Sequence, residues 1–356
     1  MLENIAPYQT RGLPPMPAVS RRTIPMAGLL VDVYGLDELP AGATGAGADG
    51  TAPALPTTCL WLLHPRTRDR GQMADIASRA VAGWHADERA SRSRGLVALA
   101  FDMPNHGTRL VSAAANEAWD AGNETHAVDM LGMVKGAVAD MAGLMDLTDG
   151  YLGVRVDAHA CLGWSLGGHS AWQAWMGEDR IDAAVVIVGC PDFMNLMSTR
   201  AAASNMITTT GSGSASFIGG RHFPPSLVRV CAAHDPKALL FGTDDAAVPG
   251  LPLRDADRDR VRRALDRHRL AGKRLLLCSG GRDKLVPPAV GQPVVDVLTD
   301  ASGGGGWYAG GMSVDSRVYD DVGHAFSKDM VTDAVAFLVD AVARGPRERE
   351  SGRARI

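Results

Sequence analysis

Five short stretches of this chain are apolar almost throughout and are closed by turn formers: CLWLLHP (59–65), GLVALAFD (95–102), HACLGW (159–164), IDAAVVIVGC (181–190) and KRLLLCSG (273–280). A strand with one face in water alternates apolar and polar side chains, whereas a strand apolar at every position is buried on both faces, the condition inside a parallel sheet. Between these runs, windows 72–86, 127–147, 166–176, 255–270, 290–298 and 328–342 carry helical patterns. In the second, Met130, Val134, Ala137, Met141 and Leu144 recur at steps of three or four, an apolar stripe assigned to core packing. Strand and helix in alternation over this length predict an α/β fold with a doubly wound, mostly parallel sheet.

Two further segments read as strands. IPMAGLLVDVYGL (24–36) is expected to form an antiparallel edge hairpin laid against TTCLWLL (57–63), and DSRVYDDVG (315–323) is the last strand. The alternation breaks over residues 191–254, where large apolar residues scatter among turn formers without a clear period. Long irregular segments inside compact domains are usually functional, so this one is read as a cap inserted in a domain spanning 24–343. Residues 1–23 are an N-terminal extension, and 344–356 a charged, solvated tail. The glycine-rich stretches 41–50 and 302–311 do not open a helix after a strand, so they are loops and not phosphate cradles.

Charge and cysteine usage narrow the partners. With 36 Lys and Arg against 40 Asp and Glu, the formal net charge is −4, which offers no basic field for nucleic acid or an anionic membrane. No stretch approaches the length of apolar residues that spans a bilayer, and the N-terminus lacks a signal-peptide core, so a cytoplasmic protein is expected. The ending Ala354-Arg355-Ile356 is similar to a peroxisomal address, which makes the peroxisomal matrix the alternative in a eukaryote. Cys59, Cys161, Cys190, Cys231 and Cys278 form no Cys-x-x-Cys pair and no Cys/His cluster, so reduced thiols and no metal are expected.

The chemistry collects after the strands. In open parallel sheets functional groups gather beyond the carboxyl ends of the strands. There this chain places His64-Pro65-Arg66, then Asp102 to Gly107, then Ser165, then Pro191-Asp192, then Arg282-Asp283, then Gly323-His324. Ser165 stands between Gly163 and Gly167 in HACLGWSLGGHSAW, where a sharp strand-to-helix turn exposes its hydroxyl and demands small neighbours. A serine hydroxyl needs a positioned base to attack at neutral pH. Histidine has the matching pKa, and an aspartate on its other nitrogen fixes the tautomer and steadies the imidazolium. The order Ser165, Asp283, His324 runs with the sheet.

On these residues the chain resembles the α/β-hydrolase family over roughly residues 24–343. Gly163-Trp164-Ser165-Leu166-Gly167 matches the nucleophile elbow, GGRDKLVPP the acid loop and VGHAF the histidine loop. The resemblance implies Ser165 as nucleophile, His324 as base and Asp283 as acid, with no cofactor. It also implies an oxyanion hole, with one donor at the backbone N–H of Leu166 and another in the loop after CLWLL. There the family commonly has His-Gly before the donor residue; this chain has His64-Pro65-Arg66, and because proline has no N–H, the donor falls to Arg66.

The expected function is a serine hydrolase acting on a carboxylic ester or thioester of a small to medium, partly apolar molecule. Ser-Leu-Gly-Gly also resembles the prolyl-oligopeptidase branch, whose peptidases usually carry a large extra N-terminal domain that residues 1–23 cannot supply. An acyltransferase or a peptidase or amidase with the same triad, and a non-enzymatic receptor or scaffold, are the alternatives. Trp164, Phe193 and Met194 are the candidate substrate contacts, within a wider apolar set in the cap that includes Ile207 and Phe217. His106 and His169 are read as structural, Asp192 as a second candidate acid, and Arg66 and Arg68 as solvated charges, with contact to an anionic group of the substrate as the alternative.

Overall fold

The computed structural model describes residues 8–40, 43, 55–87, 94–206, 217–243, 248–302 and 305–348. Ile207, most of the 41–50 loop and the ending Ala354-Arg355-Ile356 lie outside the described residues. The strands are β1 Arg21–Met26, β2 Leu29–Tyr34, β3 Pro56–Leu63, β4 Gly95–Phe101, β5 Arg155–Trp164, β6 Ile181–Ile187, β7 Arg274–Gly280 and β8 Ser313–Tyr319. The helices are α1 Ala74–Ala86, α2 His126–Met145, α3 Thr148–Leu152, α4 Leu166–Gly177, α5 Phe193–Ala203, α6 Pro225–His234, α7 Pro236–Phe241, α8 Asp255–Arg267, α9 Pro288–Ala301 and α10 Lys328–Arg344.

All eight strands form one sheet in the order β1-β2-β4-β3-β5-β6-β7-β8, parallel from β4 to β8 and antiparallel at the β1-β2 edge. The edge hairpin is where the sequence expectation fails. β2 pairs with β4, Val31 opposite Phe101 and Tyr34 opposite Ala98, and not with β3. Both edges of β3 are already taken by parallel partners, β4 and β5, each delivered by a helical crossover, so the hairpin takes the edge that β4 leaves open.

The period of two along each strand divides the core into two layers. Cys59, Trp61 and Leu63 enter one layer together with α2, α4 and α9, while Leu60 and Leu62 enter the other with α1 and α10. Each fully buried side chain of this size stabilises by about 1.5–3 kcal/mol, which is why strands apolar on both faces lock into the sheet interior. The stripe Met130, Val134, Ala137, Met141 and Leu144 of α2 is buried in the first layer.

Residues 191–254 contain α5, α6 and α7, although the sequence shows no clear period there. In α5 the buried positions are Phe193, Met194, Leu196, Met197, Arg200 and Ala201, a helical stripe obscured by the arginine inside it. The tail expected to be solvated from residue 344 is docked at its start: Arg347 ion-pairs with Asp182 at 3.0 Å and with Asp179, and donates to the Ala271 carbonyl at 3.0 Å. Among the described residues no helix is long and apolar enough to cross a membrane.

Candidate active site

β5 ends at Trp164 and α4 begins at Leu166, so Ser165 alone makes the turn, with φ 56° and ψ −111°. That backbone region is costly for a non-glycine residue and persists only when its surroundings enforce it. Here the Ser165 N–H donates to the Ile187 carbonyl at 2.9 Å, and the neighbouring chain segments press together on either side. A Cβ at position 163 would stand 1.9 Å from the Gly167 carbonyl oxygen, and one at 167 would stand 2.0 Å from that of Leu63. Only glycine fits at either place, so the end of β3 is wedged directly against the first turn of α4.

The acid arrives on the loop after β7 and the base on the loop after β8, adjacent strands in the sheet. His324 Nδ1 lies 2.7 Å from Asp283 Oδ2, and its Nε2 lies 2.7 Å from Ser165 Oγ. A carboxylate only accepts, so Nδ1 carries the proton and Nε2 presents its lone pair to the serine hydroxyl. The second carboxylate oxygen of Asp283 accepts from the Leu285 and Val286 N–H groups, both at 2.9 Å, which fixes the carboxylate in place. The Asp283 side chain is fully buried and that of His324 is 9% exposed. This is a geometry for moving a proton off Ser165.

The other candidates are engaged elsewhere. Asp192 caps α5, its Oδ1 accepting from the Asn195 N–H at 3.0 Å. His169 faces the Cys190 backbone through Nδ1, and burial pushes its pKa down to about 3. His106 Nδ1 meets the Pro104 carbonyl at 2.9 Å. Trp164 is a core residue 2% exposed, its ring against Tyr8 and Phe326, and Phe193 and Met194 are 2% and 7% exposed within the core. These three side chains spend their surface on packing.

The loop after β3 is held from beneath. His64 accepts the Met103 N–H on Nε2 at 2.9 Å, so its Nδ1–H donates to the Pro65 carbonyl at 2.8 Å. Burial pushes the His64 pKa down to about 4, which keeps it neutral in this role. Among the described residues no protein acceptor takes the backbone N–H of Arg66 or of Leu166, at the two sides of the Leu63 and Gly167 contact. The Arg66 side chain is half-buried and donates to the Asn116 carbonyl at 2.6 Å.

Sequence reasoning missed Arg200. It is 8% exposed, reaches the acid loop through the Leu285 carbonyl, and has its pKa lowered to about 9 by burial and by the Arg66 charge. A cation within the apolar stripe of α5 was the available signal. Among the described residues no group of three or more His, Cys, Asp or Glu is placed to hold a metal ion.

No family model and no curated protein matches the chain. Among solved structures it is similar to TT1662 from Thermus thermophilus, with 16% identity over 91% of this chain and 98% of that one, at a TM-score of 0.54. The esterase Pf2001 from Pyrococcus furiosus shares 15% identity over 94% of this chain and 96% of its own, at a TM-score of 0.44. Acetyl xylan esterase 1 from Thermoanaerobacterium sp. JW/SL YS485 shares 12% over 91% and 88%, at 0.45.

Proposed function

With the α/β-hydrolase fold as its scaffold, this chain is, we propose, a serine hydrolase that cleaves a carboxylic ester or thioester of a small to medium substrate. The reading rests on one observation: an unbroken line of 2.7 Å contacts from Ser165 Oγ through His324 to Asp283, beginning at a residue held in a strained turn.

In this reading His324 Nε2 takes the Ser165 hydroxyl proton as Oγ attacks the acyl carbon. Asp283 keeps the ring oriented and stabilises the imidazolium without taking the proton itself. Charge developing on the carbonyl oxygen is received by the N–H groups of Leu166 and Arg66, where loss of one donor typically costs about 10²–10³ in rate. His324 then protonates the leaving group. Water, with its proton taken by the same histidine, releases the acid and restores Ser165.

The test is labelling by a fluorophosphonate probe together with turnover of nitrophenyl esters of graded acyl length. Wild type is expected to label and to cleave, and Ser165→Ala to do neither. Folded wild type that takes no label and cleaves no ester would overturn the reading.

A further inference from the structure

Two arginines near the reaction centre have guanidinium groups withdrawn from bulk water and no ion pair among the described residues. Arg200 sits in the buried stripe of α5, where a methionine or leucine would complete the packing. Its Nε and Nη2 both donate to the Leu285 carbonyl, at 3.2 and 3.1 Å, two residues past Asp283. That uses one edge of the fork. On the other edge, among the described residues, Nη1 meets only Met130 Sδ at 3.2 Å, a weak acceptor. Asp283 is within electrostatic reach, but its oxygens are committed to His324, Leu285 and Val286.

Arg66 stands on the loop after β3, three residues beyond Leu63, whose carbonyl abuts Gly167 of the nucleophile turn. Its one protein acceptor among the described residues is the Asn116 carbonyl. Glu117 and Asp120 act on its charge without forming an ion pair. The two arginines are close enough that the Arg66 charge makes protonated Arg200 less favourable, and both charges together with burial hold His126 neutral. Burying like charges beside one another is costly unless a counter-charge joins them. A planar fork with an unused edge matches an oxyanion bidentately.

We propose that the substrate carries an anionic group, a carboxylate or a phosphate, and that Arg66 and Arg200 receive it beside Ser165. This rests on the serine-hydrolase reading and specifies its substrate class.

The experiment compares kcat/KM, followed by release of the phenol, for two neutral and anionic pairs matched in chain length or ring: 4-nitrophenyl pentanoate against mono-4-nitrophenyl glutarate, and methyl 4-acetoxybenzoate against 4-acetoxybenzoate. Wild type is expected to favour the anion in at least one pair by tenfold or more. The ratio should fall below one in Arg200→Met and in Arg66→Gln, mainly through KM, and be partly kept in Arg200→Lys. Because Arg200 also holds the acid loop, the ratio and not the absolute rate is the readout, and Arg66→Gln serves if Arg200→Met does not fold. Competition by glutarate and by inorganic phosphate against a neutral ester then distinguishes carboxylate from phosphate by which inhibits at tenfold lower concentration. A wild type with no anion preference in either pair, or a preference that survives in both Arg66→Gln and Arg200→Met, overturns the proposal. Ser165→Ala separates the two levels: turnover persisting there sinks the serine reading, whereas turnover lost there with no anion preference in wild type sinks only this inference.

Discussion

Gly167 packs so tightly on Leu63 that a β-carbon on the glycine would stand 2.0 Å from the leucine's carbonyl oxygen. The first turn of α4 is thereby set against the end of β3, the two backbone segments that flank Ser165.

Gly167→Ala is therefore expected to force these segments apart and cost on the order of 3 kcal/mol or more, the range of overpacked or strained cores. Gly132, exposed on α2 with nothing within 4 Å of an added Cβ, is the control. Gly132→Ala should stabilise by roughly 0.5–1 kcal/mol, the helix-propensity difference. Urea unfolding of both variants measures this, and equal effects would discount the close contact.

The relay predicts unequal roles for two aspartates. Asp283→Asn should lower kcat/KM by about 10⁴-fold, because an amide no longer selects the tautomer that leaves Nε2 free. Asp192→Ala, at the α5 cap, should keep ester turnover while lowering stability by about 1 kcal/mol. Kinetics and thermal melts on the pair decide; a reversed ranking would move the acid to Asp192.

Three buried histidines set an acid limit. Burial depresses His64 to about 4 and His126 and His169 to about 3, with Arg200 adding to the last two and Arg66 also to His126. As pH falls below the ordinary value near 6.5, the unfolded chain takes up protons that the folded chain refuses, so stability declines from about pH 6.5 down to pH 4. The loss should be on the order of several kcal/mol, with Tm falling by roughly 10 °C. His126→Gln should flatten the slope. A Tm independent of pH between 7 and 4.5 would contradict the neutral buried rings.

Lys273 is fully buried, and its ammonium ties off the end of α4 by donating to the Trp175 and Glu178 carbonyls at 2.9 and 2.7 Å. Lys273→Met keeps the volume but takes the ammonium donor from the Trp175 carbonyl and leaves the Glu178 carbonyl with the Ile181 N–H at 3.2 Å, and should cost about 1–3 kcal/mol. Unfolding at constant pH reads this directly, and a variant as stable as wild type would assign those carbonyls to other donors.

The sequence alone determined what depends on near neighbours. Strands apolar on both faces, the α2 stripe and the placement of Ser165, Asp283 and His324 directly after β5, β7 and β8 are all patterns a local reading detects, because side-chain periodicity and turn chemistry act over a few residues. Tertiary structure decided what depends on partners far along the chain. β2 went to β4 because β3 had no free edge. His324 met Asp283 and not Asp192 because β7 and β8 are adjacent, which delivers their two loops together. Arg200 disguised the α5 stripe, since a cation there makes sense only once the acid-loop carbonyl and Arg66 are brought beside it. Pairing and burial of charge are set by surroundings that no window of sequence contains.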